Sequence, residues 1–265
     1  MLPQLLEAVP AGIDFFEVAP ENWIPFGGKL QKQFRQLTEQ QRFICHGLSL
    51  SIGSPDPLDV IFLKQVKQFL REHNILLYSE HLSYCSGGGH LYDLMPIPFT
   101  QEAVQYVAKR IRQVQDILEQ PLILENVSYY AAPGQQMSEQ EFTLAVLAEA
   151  DCQLLLDVNN IYVNSVNHGY NAEAFLRAMP STRIAYYHIA GHFKQAEDLL
   201  IDTHGANVID PVWQLLAKAY QQHGVKPTLL ERDFNIPDLA ELGRELAQIK
   251  ALQHGAQQQT LPLRA

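Results

Sequence analysis

Short apolar runs alternate along the chain with stretches whose apolar residues recur at every third or fourth position. The runs at 13–18, 43–50, 75–81, 121–126, 154–156, 184–192 and 227–233 predict seven strands. Between them, helical stripes run through Leu30, Phe34 and Leu37, through Phe62, Val66, Phe69 and Leu70, and through Val104, Val107, Ile111, Val114 and Leu118. Boundary residues add detail. Asp56-Pro57 predicts a helix opening, and Ser138 with Glu141 predicts a capping box on a helix running to Ala150. Asn171 predicts a cap on a helix reaching Met179, and Asp210-Pro211 opens a helix that Gly224 closes. A short helix before Pro10 and a last one along Leu239, Leu242, Leu246 and Ile249 complete the set. Loops are expected at the glycine-rich 86–90, around Asn160 and His168 after the fifth strand, and around Asp202 and His204 after the sixth.

Strands and helices alternate at a spacing of about 30–40 residues, with no composition break, low-complexity linker or internal repeat. That pattern predicts an α/β architecture with a parallel sheet and helices outside it. Polar residues fall at the C-terminal ends of the strands, which points to a TIM (β/α)8-type barrel. Seven strands against the eight of a closed barrel predict that the first strand is missing or truncated. We expect one metal-binding domain over 1–255 and a flexible C-terminal tail over 256–265.

Composition narrows the partners. The 265 residues are 47% hydrophobic, enough for a large core, and no apolar run approaches the roughly 20 residues of a membrane helix. The formal net charge of -10, without a Lys/Arg cluster, argues against a nucleic-acid surface, since that affinity comes from neutralised phosphates. The N-terminus has no basic segment of a secretory signal, so a cytoplasmic location is expected. Cys45, Cys85 and Cys152 have neither zinc-ribbon nor CxxC spacing; Cys45 and Cys152 read as small core residues and Cys85 as a loop residue. There is no P-loop, no GxSxG and no GxGxxG after a strand.

The candidate chemistry lies at the strand ends. Glu17, His46, His81, Glu125, Asp157, His188 and Glu231 each close or nearly close an apolar run, and Asn160, His168, Asp202 and His204 follow in loops. One such residue means little. So many imidazoles and carboxylates in one pocket would bury unpaired charge unless a cation joins them. Imidazole and carboxylate without thiolate suit iron, zinc or manganese, and so large a set suits two or three ions rather than one. Glu125, mid-pocket, is the natural bridge between ions. Asp202-Thr203-His204 points two donors the same way along an extended segment. His73, His223 and His254 sit at helix ends and are expected in solvent or against the helix dipole; His192 follows the sixth strand beside the ligand set.

Eight motifs in order carry a resemblance over nearly the whole chain. They are Phe16-Glu17-Val18-Ala19-Pro20-Glu21-Asn22-Trp23, His46-Gly47-Leu48-Ser49-Leu50-Ser51, Ser79-Glu80-His81-Leu82-Ser83, Leu124-Glu125-Asn126-Val127-Ser128, Leu156-Asp157-Val158-Asn159-Asn160, His188-Ile189-Ala190-Gly191-His192, Asp202-Thr203-His204-Gly205 and Leu230-Glu231-Arg232-Asp233. Together they resemble the multinuclear non-heme iron-dependent oxidases, the family of the methanobactin-biosynthesis oxidase. The resemblance implies a xylose-isomerase-like TIM barrel with two or three irons, mixed Fe(II)/Fe(III), and O2 as co-substrate. It implies oxidation of cysteines in a ribosomally made precursor peptide, with a partner protein that captures the leader peptide. Carried over by motif, His46, His81 and Glu125 would hold one iron. Glu125, Asp157, His188 and Glu231 would hold a second, and Asn160, Asp202 and His204 a third. Glu125, Asp157, His188, Glu231 and His168 would form the catalytic set, with His168 on the substrate side. In related three-metal AP endonucleases a histidine stands at the place of Asn160, so the third iron is expected to be the labile one. Family members begin with a further Gly-rich strand and helix, in agreement with the count of seven. Two other functions compete: a metal-dependent hydrolase or isomerase of the xylose-isomerase-like or AP-endonuclease type, and a metal-carrying scaffold without catalysis.

Overall fold

A computed structural model describes residues 2–260. These form two compact units that divide between Gln153 and Leu154. The first contains, in chain order, α1 (Leu2–Glu7), β1 (Phe16–Val18), α2 (Gly28–Gln40), β2 (Phe43–His46), α3 (Val60–Glu72), β3 (Tyr78–His81), β4 (Ser83–Ser86), β5 (His90–Pro96), α4 (Gln101–Leu118), β6 (Ile123–Glu125) and α5 (Glu139–Ala150). Strands β1, β2, β3 and β6 lie side by side in that order, all parallel. Every residue of β2 and β6 is buried, as strands covered on both faces must be. The covering helices present apolar stripes: on α3 Leu63 is buried in place of the expected Phe62, with Val66, Phe69 and Leu70 as expected, and on α4 Val104, Val107, Ile111, Val114 and Leu118 are buried as expected. Each such side chain contributes about 1.5–3 kcal/mol relative to leaving it in water. The capping box of Ser138 and Glu141 opens α5 as the spacing predicts.

Three expectations change here. The helix predicted from Asp56-Pro57 begins later, at Val60, where Asp59 accepts from the Phe62 amide (2.9 Å). Asp56 is committed elsewhere: its carboxylate accepts from Gly88 N (2.9 Å), and Arg110 holds the carbonyls of Ile52 and Asp56 (2.7 and 2.8 Å). The glycine-rich stretch is the tip of an antiparallel hairpin, β4–β5, with Gly88 in the left-handed region at φ 67°. Cys85 is therefore a buried strand residue. His73 is buried, its Nδ1 2.9 Å from Thr38 Oγ1.

The second unit contains β7 (Gln153–Asp157), α6 (Val158–His168), α7 (Ala172–Ala178), β8 (Ile184–Ile189), β9 (Phe193–Ala196), β10 (Leu199–Ile201), α8 (Asp210–His223), β11 (Thr228–Leu230) and α9 (Leu239–Thr260). β8 pairs in parallel with β7 on one side and β11 on the other, and β9–β10 is a hairpin. The parallel strands of the two units thus number seven among the described residues, as the apolar runs predict. Asn160 and His168 are not in a loop: both belong to α6. Asp157 caps that helix through its carboxylate, and Asn159, Asn160 and Asn164 are buried in it. Asparagine is a weak helix former, so the local signal reads as loop, and the cap together with tertiary burial overrides it. His223 is also buried, bonded to Ser181 Oγ (2.7 Å) and the Leu176 carbonyl (2.8 Å). Helix α9 continues to Thr260, and the last part of the expected tail, 261–265, lies outside the described residues. Among the described residues no helix is long and apolar enough to cross a membrane.

One buried acid links fold to pH. Glu80 accepts from Tyr78 Oη (2.5 Å), and Gly47 makes room for it: a Cβ at 47 would stand 2.0 Å from Glu80 Oε1. Burial, and then the charge of Glu21, push the Glu80 carboxyl from 4.5 up to about 8. A folded-state pKa raised above the unfolded value means that the native state holds a proton the unfolded chain has released. Stability is therefore lost as pH rises from about 4.5 to about 8. Glu80→Gln should flatten that decline in urea unfolding midpoints measured across the window; a slope equal to wild type would show that Glu80 is not the group responsible.

Candidate metal centre

The strand register assembles the first group. β2, β3 and β6 end on His46, His81 and Glu125, and the β3–β6 register sets His81 against Glu125. His46 Nε2 lies 3.1 Å from His81 Nε2, and Glu125 Oε2 lies 3.2 Å from the first and 3.3 Å from the second. His46 and Glu125 are buried. The Ser79 hydroxyl donates to the Cys45 carbonyl (3.3 Å) and so meets His46 Nδ1 (2.8 Å) as an acceptor. That assignment puts the proton on Nδ1 and leaves the Nε2 lone pair facing His81 and Glu125. Behind the group, Glu21 Oε1 accepts from the amides of Leu48 and Ser49 (2.9 and 3.0 Å) and fixes the chain just after His46.

In the second unit, Asp157 ends β7 and its register partner is His188 on β8. Asp157 Oδ1 accepts from the Asn160 amide (2.6 Å), while Oδ2 stands 3.9 Å from His188 Nδ1. Glu231, just after β11, places Oε2 3.1 Å from His188 Nδ1 and 3.4 Å from His204 Nδ1. Asp157, His188 and Glu231 each offer a ligand atom within 4.8 Å of one another, and so do His204, Glu231 and Asp233. Asp202 Oδ1 meets the other ring nitrogen of His204, Nε2, at 2.7 Å. His204 has a positive φ of 49°, a conformation that costs a non-glycine residue about 1–3 kcal/mol. Gly191 lets the Ala206 carbonyl approach: a Cβ there would stand 2.1 Å from it.

The electrostatics ask for positive charge. Burial opposes charge on His204, yet Glu231, Asp202 and Asp233 overcome it and hold the ring protonated well above the usual histidine range. Burial would raise the Glu231 carboxyl, but His204 and His188 hold it well below the carboxylate range. Glu231 Oε2 and His204 Nε2 are buried and close to these neighbours, yet are not aligned for hydrogen bonds. Short distance with poor alignment is what a shared cation resolves. Ligand atoms about 2.0–2.2 Å from one ion sit roughly 3 Å apart with convergent lone pairs. The residues present therefore fit metal, with nitrogen and oxygen donors and no thiolate.

Of the residues expected from sequence, His46, His81 and Glu125 meet in the first unit; Asp157, His188, Asp202, His204 and Glu231 meet in the second. Asn160 is buried on the first turn of α6, its amide bonded to Asp157. His168 is the last residue of α6, about 12 Å along the helix axis from Asn160 at 1.5 Å per residue. Glu17 joins none of the groups. Two participants were missed. Asp233 was visible as the second acid of Glu231-Arg232-Asp233. Asn159 carried no signal, since an amide next to Asn160 reads as loop.

A family model described as RiPP precursor modification enzyme MbnB/TglH/ChrH matches residues 1–254. The chain belongs to this family. Among its relatives, a UPF0276 protein of Shewanella loihica is 69% identical over 261 residues, covering 98% of this chain and 92% of its own. One of Nitrosospira multiformis is 61% identical over 254 residues, covering 96% and 90%. Solved structures share the fold at low identity. They include a D-psicose 3-epimerase of Clostridium cellulolyticum with D-tagatose (TM-score 0.61, 12% identity, 97% of this chain and 90% of that one). An L-ribulose 3-epimerase (0.62, 14%, 100% and 94%) and the IolI protein with a bound zinc atom (0.62, 14%, 99% and 94%) are similar in the same way. The fold is thus of the TIM-barrel type that these structures share, and the family is one of enzymes that modify RiPP precursors.

Glu231 belongs to both groups of the second unit, whereas Asp233 belongs to one. Glu231→Ala should weaken metal binding at both, by at least about tenfold, and Asp233→Ala at one only. Metal-to-protein ratios after anaerobic loading read this out. Equal losses in the two variants would refute the shared role of Glu231.

Proposed function

We propose that this chain is a multinuclear iron-dependent, O2-using oxidase that modifies cysteines of a ribosomally made precursor peptide. The observation that carries the reading is the triangle of His46 Nε2, His81 Nε2 and Glu125 Oε2, with sides of 3.1–3.3 Å. Two imidazoles and one carboxylate on one face are the donor set of non-heme Fe(II) oxygenases, and membership in a family of RiPP-modifying enzymes supplies the substrate class.

His46, His81 and Glu125 would hold one ion. Asp157, His188 and Glu231 would hold a second, and Asn160, Asp202 and His204 a third. Iron so held supplies one-electron and O2 chemistry. The protein supplies orientation. Ser79 fixes the His46 tautomer. Asp157 gives one oxygen to the α6 cap and keeps the other for His188. A leader-binding partner protein would present the peptide.

The test is aerobic co-expression with iron, a Cys-containing precursor peptide and the leader-binding partner, read by mass spectrometry. A mass change confined to the cysteine-bearing segment and absent without O2 is expected; an unchanged peptide with iron-loaded protein would refute the oxidase. Zinc or manganese in the isolated protein, without O2 consumption, would favour the hydrolase or isomerase reading, which the zinc-bearing fold neighbour also suits. Glu125→Ala should lose the iron held with His46 and His81. Full iron retention in that variant would dismiss its ligand role.

A further inference from the structure

We propose that Asn159 is a positioning residue that ties Asp202 to His192 and fixes His192 as its Nδ1-protonated tautomer. Asn159 is fully buried on the first turn of α6. Its Nδ2 donates to Asp202 Oδ1 (2.8 Å). A carboxylate only accepts, so the amide has one orientation: NH2 toward Asp202, oxygen toward the other neighbour. That neighbour is His192 Nδ1, 2.7 Å from Asn159 Oδ1. An amide oxygen also only accepts, so Nδ1 must carry the hydrogen, and Nε2 becomes the ring's one acceptor.

The ring is buried and packs at a tilt on Tyr162, its centroid 5.4 Å away and one helical turn beyond Asn159. Helix α6 therefore holds His192 by both its face and its Nδ1 edge. The neutral imidazole side chain in water favours the opposite tautomer, so the bond to Asn159 sets the chemistry that His192 can offer: a fixed lone pair at Nε2, ready for a hydrogen-bond or proton donor. The same amide restrains Asp202 from behind, where its carboxylate meets His204 (2.7 Å). The role toward Asp202 rests on the metal reading above; the tautomer does not.

The test uses the full chain, metal-free and labelled with 15N-histidine, in long-range 1H–15N correlation spectra. Wild type should show His192 with a protonated Nδ1 and a bare Nε2, a readout that needs neither iron nor peptide. Asn159→Leu, close in volume but without donor or acceptor, should shift His192 toward the Nε2-protonated form. Titrated with Zn(II), that variant should bind about 10–100-fold more weakly at the group containing Asp202 and normally at His46, His81 and Glu125. A wild-type His192 protonated at Nε2 overturns the proposal whether or not the variant folds. An unchanged tautomer in folded Asn159→Leu, or unchanged zinc affinity, overturns the corresponding half of it. A peptide that stays unmodified would remove the oxidase reading and leave the tautomer result untouched.

Discussion

His46 and His81 bring two Nε2 atoms within 3.1 Å of each other beside a buried carboxylate. Crowding two imidazoles and a carboxylate together out of water costs solvation, which the contacts among them must offset. The fold accepts this at the place where strand ends meet. The β3–β6 register leaves no freedom in which residues face each other, and Ser79 removes the freedom of the His46 tautomer. Removing the constraints behind the group, such as the space at Gly47 for Glu80, would disturb the strand end that carries His81, one residue on.

The second unit meets the same constraint with more acid. Glu231 faces both His188 and His204, and Asp202 and Asp233 approach His204 from either ring nitrogen. A proton on His204 partly neutralises this set. A metal ion would do so more fully and would displace that proton, because a ligating imidazole must be neutral. Gly191 and the left-handed backbone of His204 show that the loop is pressed into place against local preference. Such strain persists where the surroundings over-determine it, and it clusters at functional sites.

The barrel pattern was legible because each strand is a short apolar run with an acid or histidine at its end, and each helix repeats its apolar residues on one face. The ligands at strand ends were legible for the same reason. The hairpins were not: β5 is almost wholly exposed, and Phe193, in β9, is exposed too, so neither shows the alternation that marks a half-buried strand. Helix α3 starts later than the Asp-Pro signal at 56 indicates because that signal is overridden by bonds from Gly88 and Arg110, residues 32 and 54 positions away. The burial of His73 and His223 is not legible in the sequence, because position at a helix end says nothing about what packs over it.

Helix α6 concentrates these conflicts. Its opening turn reads Asp157, Val158, Asn159, Asn160, poor helix formers apart from their value as caps. Each polar member nonetheless has a bond of its own to make. Asp157 divides its oxygens between cap and His188, Asn160 supplies the capped amide, and Asn159 joins Asp202 to His192. Val158, Ile161 and Val163, all fully buried, supply the packing that keeps so polar a turn helical. The positive end of the helix dipole also lies at this turn, where it favours the carboxylates of Asp157 and Asp202. A sequence that breaks local rules at one turn, and is supported by core residues woven through that same turn, is what a site built for chemistry requires.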